Sequence, residues 1–279
     1  MDVKATLDRF LLELQRKNPA TVSNLKKIAA FFLSDDRVGR VITPSMVMDY
    51  VISRRSSLAT PATINRELTI MKQFFRWARL MGYADEDPTR EIHLEKGAAK
   101  RTRSITKEEE GRLTAGAVDW LQPIITFAAS TGMRRGEIMN LDKADISLEN
   151  RSAIISTSKN GEPRIIPLSN RALGAVAKAM SVTEKVFGEK GGERLQPANL
   201  EYNFRQAVKR AGLKDLRFHD LRHTFATRLV RSGADIYAVQ RLLGHKSLEM
   251  TSRYAHHDVE SLRKAVDTVN GGGDKNGNA

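Results

Sequence analysis

Two arginines, two histidines and a tyrosine fall in an order that could attack a phosphodiester. Tyr254 follows His245 in the run Leu243-Gly244-His245-Lys246-Ser247-Leu248-Glu249-Met250-Thr251-Ser252-Arg253-Tyr254. Upstream stand His219-Asp220-Leu221-Arg222-His223 and, further back, Thr131-Gly132-Met133-Arg134-Arg135-Gly136-Glu137. A phosphodiester resists attack through its negative charge and its poor alkoxide leaving group. Cleaving it without metal or water takes an in-line nucleophile, cations on the phosphoryl oxygens and an acid for the leaving oxygen. Tyr254 is the candidate nucleophile. Arg134 and Arg222 are candidate phosphate clamps, since guanidinium stays charged and offers a planar fork to two oxygens. His219 and His245 are candidates for accepting the tyrosine proton or donating to a phosphoryl oxygen. Lys159 is the candidate general acid, because neighbouring cations can bring a lysine toward the working range. Glu137 is a supporting carboxylate that could orient Arg134 or a histidine. His223, His256, His257 and His93 carry no argument beyond nearness, and Arg135 reads as a solvated neighbour or a backbone contact.

Each of these side chains needs an element to aim it. Thr131-Gly132 reads as a helix end, so Arg134 opens a new helical segment at the rim of a cleft. His219 and Arg222, three apart, share a helix face. Gly244 closes one helix and Ser247 can cap the next, which carries Tyr254. Ser152 to Thr157 and Arg164 to Leu168 read as strands joined through Lys159-Asn160-Gly161-Glu162. Asn-Gly is a strong hairpin signal because both residues tolerate positive φ, and it places Lys159 at the tip.

The first part of the chain reads as helices with legible starts. Thr43-Pro44 and Thr60-Pro61 each set a capping hydroxyl before a proline at the first helical position. The helix opened by Thr60 runs to about Met81 and stops at Gly82. Ile64, Leu68, Met71, Phe75 and Ala78 form its apolar stripe, with Phe74 and Met81 beside it. Two earlier helices, roughly 3 to 16 and 21 to 33, repeat the amphipathic pattern. Arg66, Lys72 and Arg76 lie mostly off the stripe and are candidate DNA contacts. Positions 96–107 lack a hydrophobic period and read as a basic linker ending near Thr106, which can cap a helix through Glu108 and Glu109. Val259, Leu262, Val266 and Val269 make a last apolar stripe. The expected organisation is a helical domain with a basic side over 1–95, a basic linker over 96–107, a mixed domain over 104–268 and a disordered tail over 269–279. The expected fold class is mainly α with a small β-sheet (α+β).

The 279-residue chain carries 46 Lys and Arg against 33 Asp and Glu, a net charge of +13. Fifteen basic and 12 acidic residues precede position 96, leaving 31 and 21 after it, so most of the surplus lies in the second part. Such a surplus suits a polyanion, because Lys and Arg displace counterions condensed on phosphates. With no cysteine there is no disulfide, thiolate or Cys-bound zinc chemistry. No apolar run approaches the roughly 20 residues that span a bilayer, and the N-terminus lacks a signal-peptide stretch. The expectation is a cytoplasmic, nucleoid-associated protein with no membrane partner, metal or cofactor.

These motifs, in this order, resemble those of the tyrosine recombinase (phage integrase) family across nearly the whole chain. Arg134 with Glu137 matches the family's first motif, Lys159 its hairpin lysine and Arg164-Ile-Ile-Pro-Leu168 its second strand. His219 and Arg222 match its His-x-x-Arg box, His245 its His/Trp position and Tyr254 its nucleophile. The resemblance implies a SAM-like core-binding domain and a catalytic domain that clamp double-stranded DNA at specific recombination sites. It implies a 3′-phosphotyrosyl intermediate, religation by the free 5′ hydroxyl without ATP, and a tetramer exchanging strands through a Holliday junction. Accessory DNA-bending or directionality factors are implied partners, and the last apolar stripe could dock on a neighbouring protomer. With no arm-site domain of the larger phage integrases expected, the resemblance points to a recombinase nearer in size to the Xer, plasmid and transposon type, of prokaryotic or mobile-element origin. A type IB topoisomerase-like enzyme and a silent DNA-binding relative are the alternatives.

Overall fold

The computed structural model describes residues 3–17, 19–33, 41–96, 103–156, 163–179, 183–252 and 254. The chain divides into two compact units, Met1–Lys100 and Arg101–Ala279. Among the described residues the secondary structure is helical apart from one small antiparallel sheet. No described helix is long and apolar enough to cross a membrane.

The first unit holds α1 (Val3–Lys17), α2 (Pro19–Leu33), α3 (Pro44–Ser56) and α4 (Pro61–Leu80). The two threonine-proline starts act as caps. Thr43 Oγ1 accepts from Met46 N at 3.4 Å and Thr60 Oγ1 from Thr63 N at 3.3 Å. The α4 stripe of Ile64, Leu68, Met71, Phe75 and Ala78 is buried, and Phe74 packs edge-on against Phe10. Met81 departs from expectation and is exposed. The α-helix stops at Leu80, one residue earlier than the spacing suggests, and Gly82 turns the chain at φ +71°. A part-buried ion pair, Arg54 Nε to Glu67 Oε2 at 2.9 Å, ties α3 to α4.

The second unit begins with α5 (Lys107–Ala115), whose start is a full capping box between Thr106 and Glu109. Then come α6 (Leu121–Thr131), α7 (Arg135–Asn140), and strands β1 (Ile146–Ser147), β2 (Ser152–Ile155) and β3 (Arg164–Pro167). The strands run antiparallel in the order β1-β2-β3, with Ile155 opposite Arg164. β1 is an edge strand of two residues, too short to leave a period in the sequence. The hairpin connection, and with it Lys159, lies outside the described residues. So do the linker centre, the Val259–Val269 stripe and the tail.

The remaining helices are α8 (Asn170–Lys178), α9 (Pro197–Arg210), α10 (Asp220–Arg231), α11 (Ile236–Leu243) and α12 (Glu249–Ser252). α6 is buried on nearly every side, packing against α8 and α10 at the centre of the main core. A smaller cluster of Ala226, Val239, Leu243 and Tyr254 sits beside it.

Candidate active site

The site starts at a helix end. α6 stops at Thr131 because Gly132 takes the left-handed conformation, φ +63°. A Cβ there would stand 2.3 Å from Phe225 Cδ1, so the position excludes any larger residue. The reversal makes Arg134 the N-cap of α7. Its own amide donates to Glu137 Oε2 at 2.8 Å and its Nη1 to Glu137 Oε1 at 2.9 Å.

A second helix end gathers the cations. The last carbonyls of a helix lack intrahelical partners and carry the negative end of its dipole. At the end of α11, three successive carbonyls each accept from a different arginine. Leu242 O takes Arg164 Nε at 3.1 Å, Leu243 O takes Arg222 Nη2 at 2.5 Å, and Gly244 O takes Arg134 Nη2 at 2.6 Å. Arg222 Nη1 also donates to Gly132 O at 2.8 Å, linking the two helix ends. Gly244 has φ +61°, and a Cβ there would lie 3.1 Å from Arg164 Nη1.

Among the described residues, Glu137 is the carboxylate bonded within this group. Arg164 grips it with two bonds, Nη1 to Oε1 at 3.1 Å and Nη2 to Oε2 at 2.7 Å. Burial alone would push the Glu137 carboxyl up. The bonds from Arg164 and from the Arg134 amide and guanidinium outweigh it and hold the group below its ordinary value. Arg222 is only 3% exposed. Burial, then the charge of Arg134, lower its guanidinium to about 9; Arg164 adds to this, while Glu137 and Tyr254 oppose it. At neutral pH it therefore stays charged. Three guanidinium groups against one carboxylate leave a surplus of positive charge in a largely buried place.

The tyrosine limb lies next to these cations. Tyr254 follows α12, its amide donating to Thr251 O at 2.9 Å, and its ring is 3% exposed. α12 is a single turn beginning at Glu249. Ser247 therefore lies before the helix rather than capping it, and the Ser247 and Leu248 carbonyls close tight turns to Met250, Thr251 and Ser252. The Tyr254 hydroxyl shares a short hydrogen bond with Nδ1 of buried His223. His245, also buried, sets its ring parallel to Tyr254 at 6.5 Å and its Nδ1 2.9 Å from Thr251 Oγ1. His219 is exposed and meets the His223 ring edge-on at 5.0 Å.

The fold thus draws Arg134, Glu137, His219, Arg222, His245 and Tyr254 together from α7, α10, α11 and the α12 segment. Arg66, Lys72 and Arg76 lie on α4 of the first unit. Arg66 and Arg76 are exposed, whereas the Lys72 ammonium is bound 2.7 Å from Thr89 O. Arg135 pairs with Glu201 at 2.8 Å on the surface. Two residues escaped the sequence reading as site members. Arg164 was visible only as a strand residue. In a period-two strand, however, it shares a face with buried Ile166, and an arginine on a core face is a signal. His223 had no separable signal beyond its place after Arg222. Among the described residues, no group of three or more His, Cys, Asp or Glu stands where it could hold a metal ion. The arrangement suits a bound phosphate: fixed guanidinium charge stands near a phenol whose oxygen shares a hydrogen bond with an imidazole.

A family model for the phage integrase family matches residues 103–261, which include all of these second-unit residues. The chain belongs to the phage integrase family. Among its relatives, the integrase of Escherichia phage P2 is 34% identical over 88% of this chain and 70% of its own length. Tyrosine recombinase XerC of Alcanivorax borkumensis is 27% identical over 94% of this chain and 92% of its own. In three dimensions this family member resembles the Tn1549 transposon integrase solved with circular intermediate DNA, with a TM-score of 0.80. That likeness covers 96% of this chain and 99% of the other at 19% identity, and it extends the shared fold to both units.

Proposed function

We propose that this chain is a site-specific DNA recombinase that cuts and rejoins strands through a 3′-phosphotyrosyl intermediate. The observation that carries it is the convergence of Arg134, Arg164 and Arg222 on the end of α11, beside the Tyr254 phenol. Tyr254 Oη attacks the phosphorus while Arg134 and Arg222 bind the non-bridging oxygens, where charge grows in the transition state. His245 donates to a phosphoryl oxygen, and Thr251 fixes its ring. His219, at the exposed start of α10, is a further donor to the phosphate. Glu137 and Arg164 position Arg134. Lys159 protonates the leaving 5′ oxygen. The phosphotyrosyl ester conserves the energy of the broken bond, so a 5′ hydroxyl reverses the step with no ATP, metal or water. Because Tyr254 is 3% exposed, engagement of DNA must uncover its oxygen.

In this reading residues 1–95 grip the duplex, with Arg66 and Arg76 on its backbone, and 104–268 supply the chemistry. Four protomers synapse two sites and exchange strands in pairs. The DNA-bound Tn1549 integrase of the same fold and the +13 net charge support a duplex DNA partner. The test is a nicked duplex carrying a core site that the protein selects from a randomised pool. Wild type should form a covalent adduct that Tyr254→Phe lacks, and should recombine two such sites. Absence of any adduct, or relaxation of supercoiled plasmids lacking the site, would reject the proposal.

A further inference from the structure

We propose that His223 is the proton acceptor for Tyr254. This rests on the recombinase reading above and assigns one of its missing roles. A phenol is a weak acid with an ordinary value near 10, and it is a poor nucleophile at neutral pH until a base removes its proton. A general base must stand within hydrogen-bond reach of that proton. His223 Nδ1 already does, on the attacking oxygen itself and in a buried setting. Imidazole also titrates in the physiological range, the property the task needs.

The surroundings divide the labour among the histidines. His245 is turned by Thr251 and stacks parallel to the phenol ring, an orientation for contacting phosphate. His219 stands edge-on to His223 one helical turn earlier, at the exposed start of α10. The Tyr254 phenol reaches His223 from the α12 segment, His219 meets it from the start of its own helix, and its chain neighbour Arg222 carries a charge set among those of Arg134 and Arg164. α10 therefore delivers a phosphate clamp and a base from adjacent residues. As Arg222 meets the phosphate, His223 meets the nucleophile.

The step balances as follows. Tyr254 Oη forms its bond to phosphorus, its proton passes to His223 Nδ1, the bond from phosphorus to the 5′ oxygen breaks, and Lys159 gives that oxygen a proton. Religation runs the same transfers backwards, so the His223 imidazolium returns the proton to the departing phenolate. Loss of His223 must therefore slow cleavage and religation alike, leaving their ratio unchanged.

The experiment uses the full chain and the selected nicked duplex under single turnover. His223→Ala and His223→Gln should each lower adduct formation about 100-fold, the low end for general acid–base catalysis. Gln can hold a hydrogen bond but cannot take a proton, so it should not rescue. Placing 3,5-difluorotyrosine at position 254 of His223→Ala should restore much of the rate, since that phenol ionises without a base. A rate at or above wild type in either variant would make His223 a restraint on Tyr254 and overturn the proposal. A lowered rate that difluorotyrosine leaves unchanged would make it a packing residue, with the same result. If wild type forms no adduct, or Tyr254→Phe still does, the recombinase reading itself fails and this one with it.

Discussion

The second unit contains two buried carboxylates clasped by arginine pairs, and they do different things. Glu110 on α5 takes Arg171 of α8 at 2.7 Å and Arg228 of α10 at 2.6 Å. Glu137 on α7 takes Arg134 and Arg164 at similar distances. The geometry of the ion pairs does not separate them. The third arginine does. Around Glu110 both guanidinium groups reach water, at 51% and 30% side-chain exposure. Beside Glu137 stands Arg222, 3% exposed, its hydrogen bonds going to main-chain carbonyls. Desolvating such a charge costs several kcal/mol. A carboxylate between arginines is a rivet joining helices. A buried guanidinium in excess of its carboxylates leaves positive charge that no protein carboxylate neutralises, and the proposed function gives that charge a phosphate to meet.

The sharpest way to break that contrast is to remove the excess charge. Arg222→Met should lower cleavage of the nicked duplex about 1000-fold, the upper end for deleting one transition-state donor. DNA binding in a gel shift and the urea midpoint should stay close to wild type, because relief of desolvation offsets the lost carbonyl bonds. Arg228→Met should do the reverse, lowering the midpoint while leaving cleavage per folded molecule intact. Equal loss of binding and cleavage in Arg222→Met would refute the transition-state role.

Substituting the two carboxylates comes next in size. Glu110→Gln and Glu137→Gln should each cost about 3 kcal/mol in urea unfolding, as breaking a buried pair does. Cleavage should fall only for Glu137→Gln, by about 10- to 100-fold, since Arg134 and Arg164 lose their common anchor. The pH dependence follows from the depressed Glu137 value. As pH falls, the unfolded carboxyl protonates first, near its ordinary value of about 4.3. The folded one protonates lower. Stability contributed by Glu137 is thus full above the unfolded value and lost as pH drops through the folded one. The midpoint gap between wild type and Glu137→Gln should therefore be wide at pH 7 and close on acidification. A gap constant down to the acid transition would contradict the carboxylate's role.

Much of this was legible in the residues because local rules act over a few positions. Thr43-Pro44, Thr60-Pro61 and Thr106 with Glu109 are starts written in side-chain chemistry, and all three cap helices. Gly132 and Gly244 mark helix ends for the same reason, through positive φ. Arg134, Arg222, His245 and Tyr254 were singled out by type, and the fold brings them together. What the sequence hid depends on distance. The carbonyls of Leu242, Leu243 and Gly244 are anonymous in sequence, yet they gather three arginines from 110, 78 and 21 residues away. His223 looked like a neighbour because only the folded chain sets the tyrosine limb against it. Met81 was misplaced by one residue of helix length, which a hydrophobic stripe does not resolve.

Gly244 tests whether the carbonyl row itself matters. Gly244→Ala forces φ +61° on an L residue and puts a methyl 3.1 to 3.2 Å from the Arg164 guanidinium. The conformation costs about 1 kcal/mol, and Arg164 must yield by a few tenths of an ångström. The urea midpoint should fall by that modest amount and cleavage by about tenfold. Gly212→Ala is the control: its φ is +65° with nothing within 4 Å of the added Cβ. It should share the stability loss without the cleavage loss.

The smallest expected effect isolates the histidine beside the phenol. Thr251 is fully buried and its hydroxyl meets His245 Nδ1 at 2.9 Å, six residues away across the turn before α12. That contact fixes which way the imidazole faces. Thr251→Val keeps the shape and removes the partner, so it should cost about 1 kcal/mol, the net worth of one hydrogen bond. Cleavage should drop by only a few-fold, because Arg134 and Arg222 keep the phosphate placed while His245 spends part of its time misaligned. Ser252→Ala, one residue on, loses an exposed bond from Ser252 Oγ to Glu249 O, and it should change neither quantity. If Thr251→Val cleaved at the wild-type rate, His245 would be oriented by its packing against Tyr254 instead. The tyrosine limb would then hold itself together without the hydroxyl.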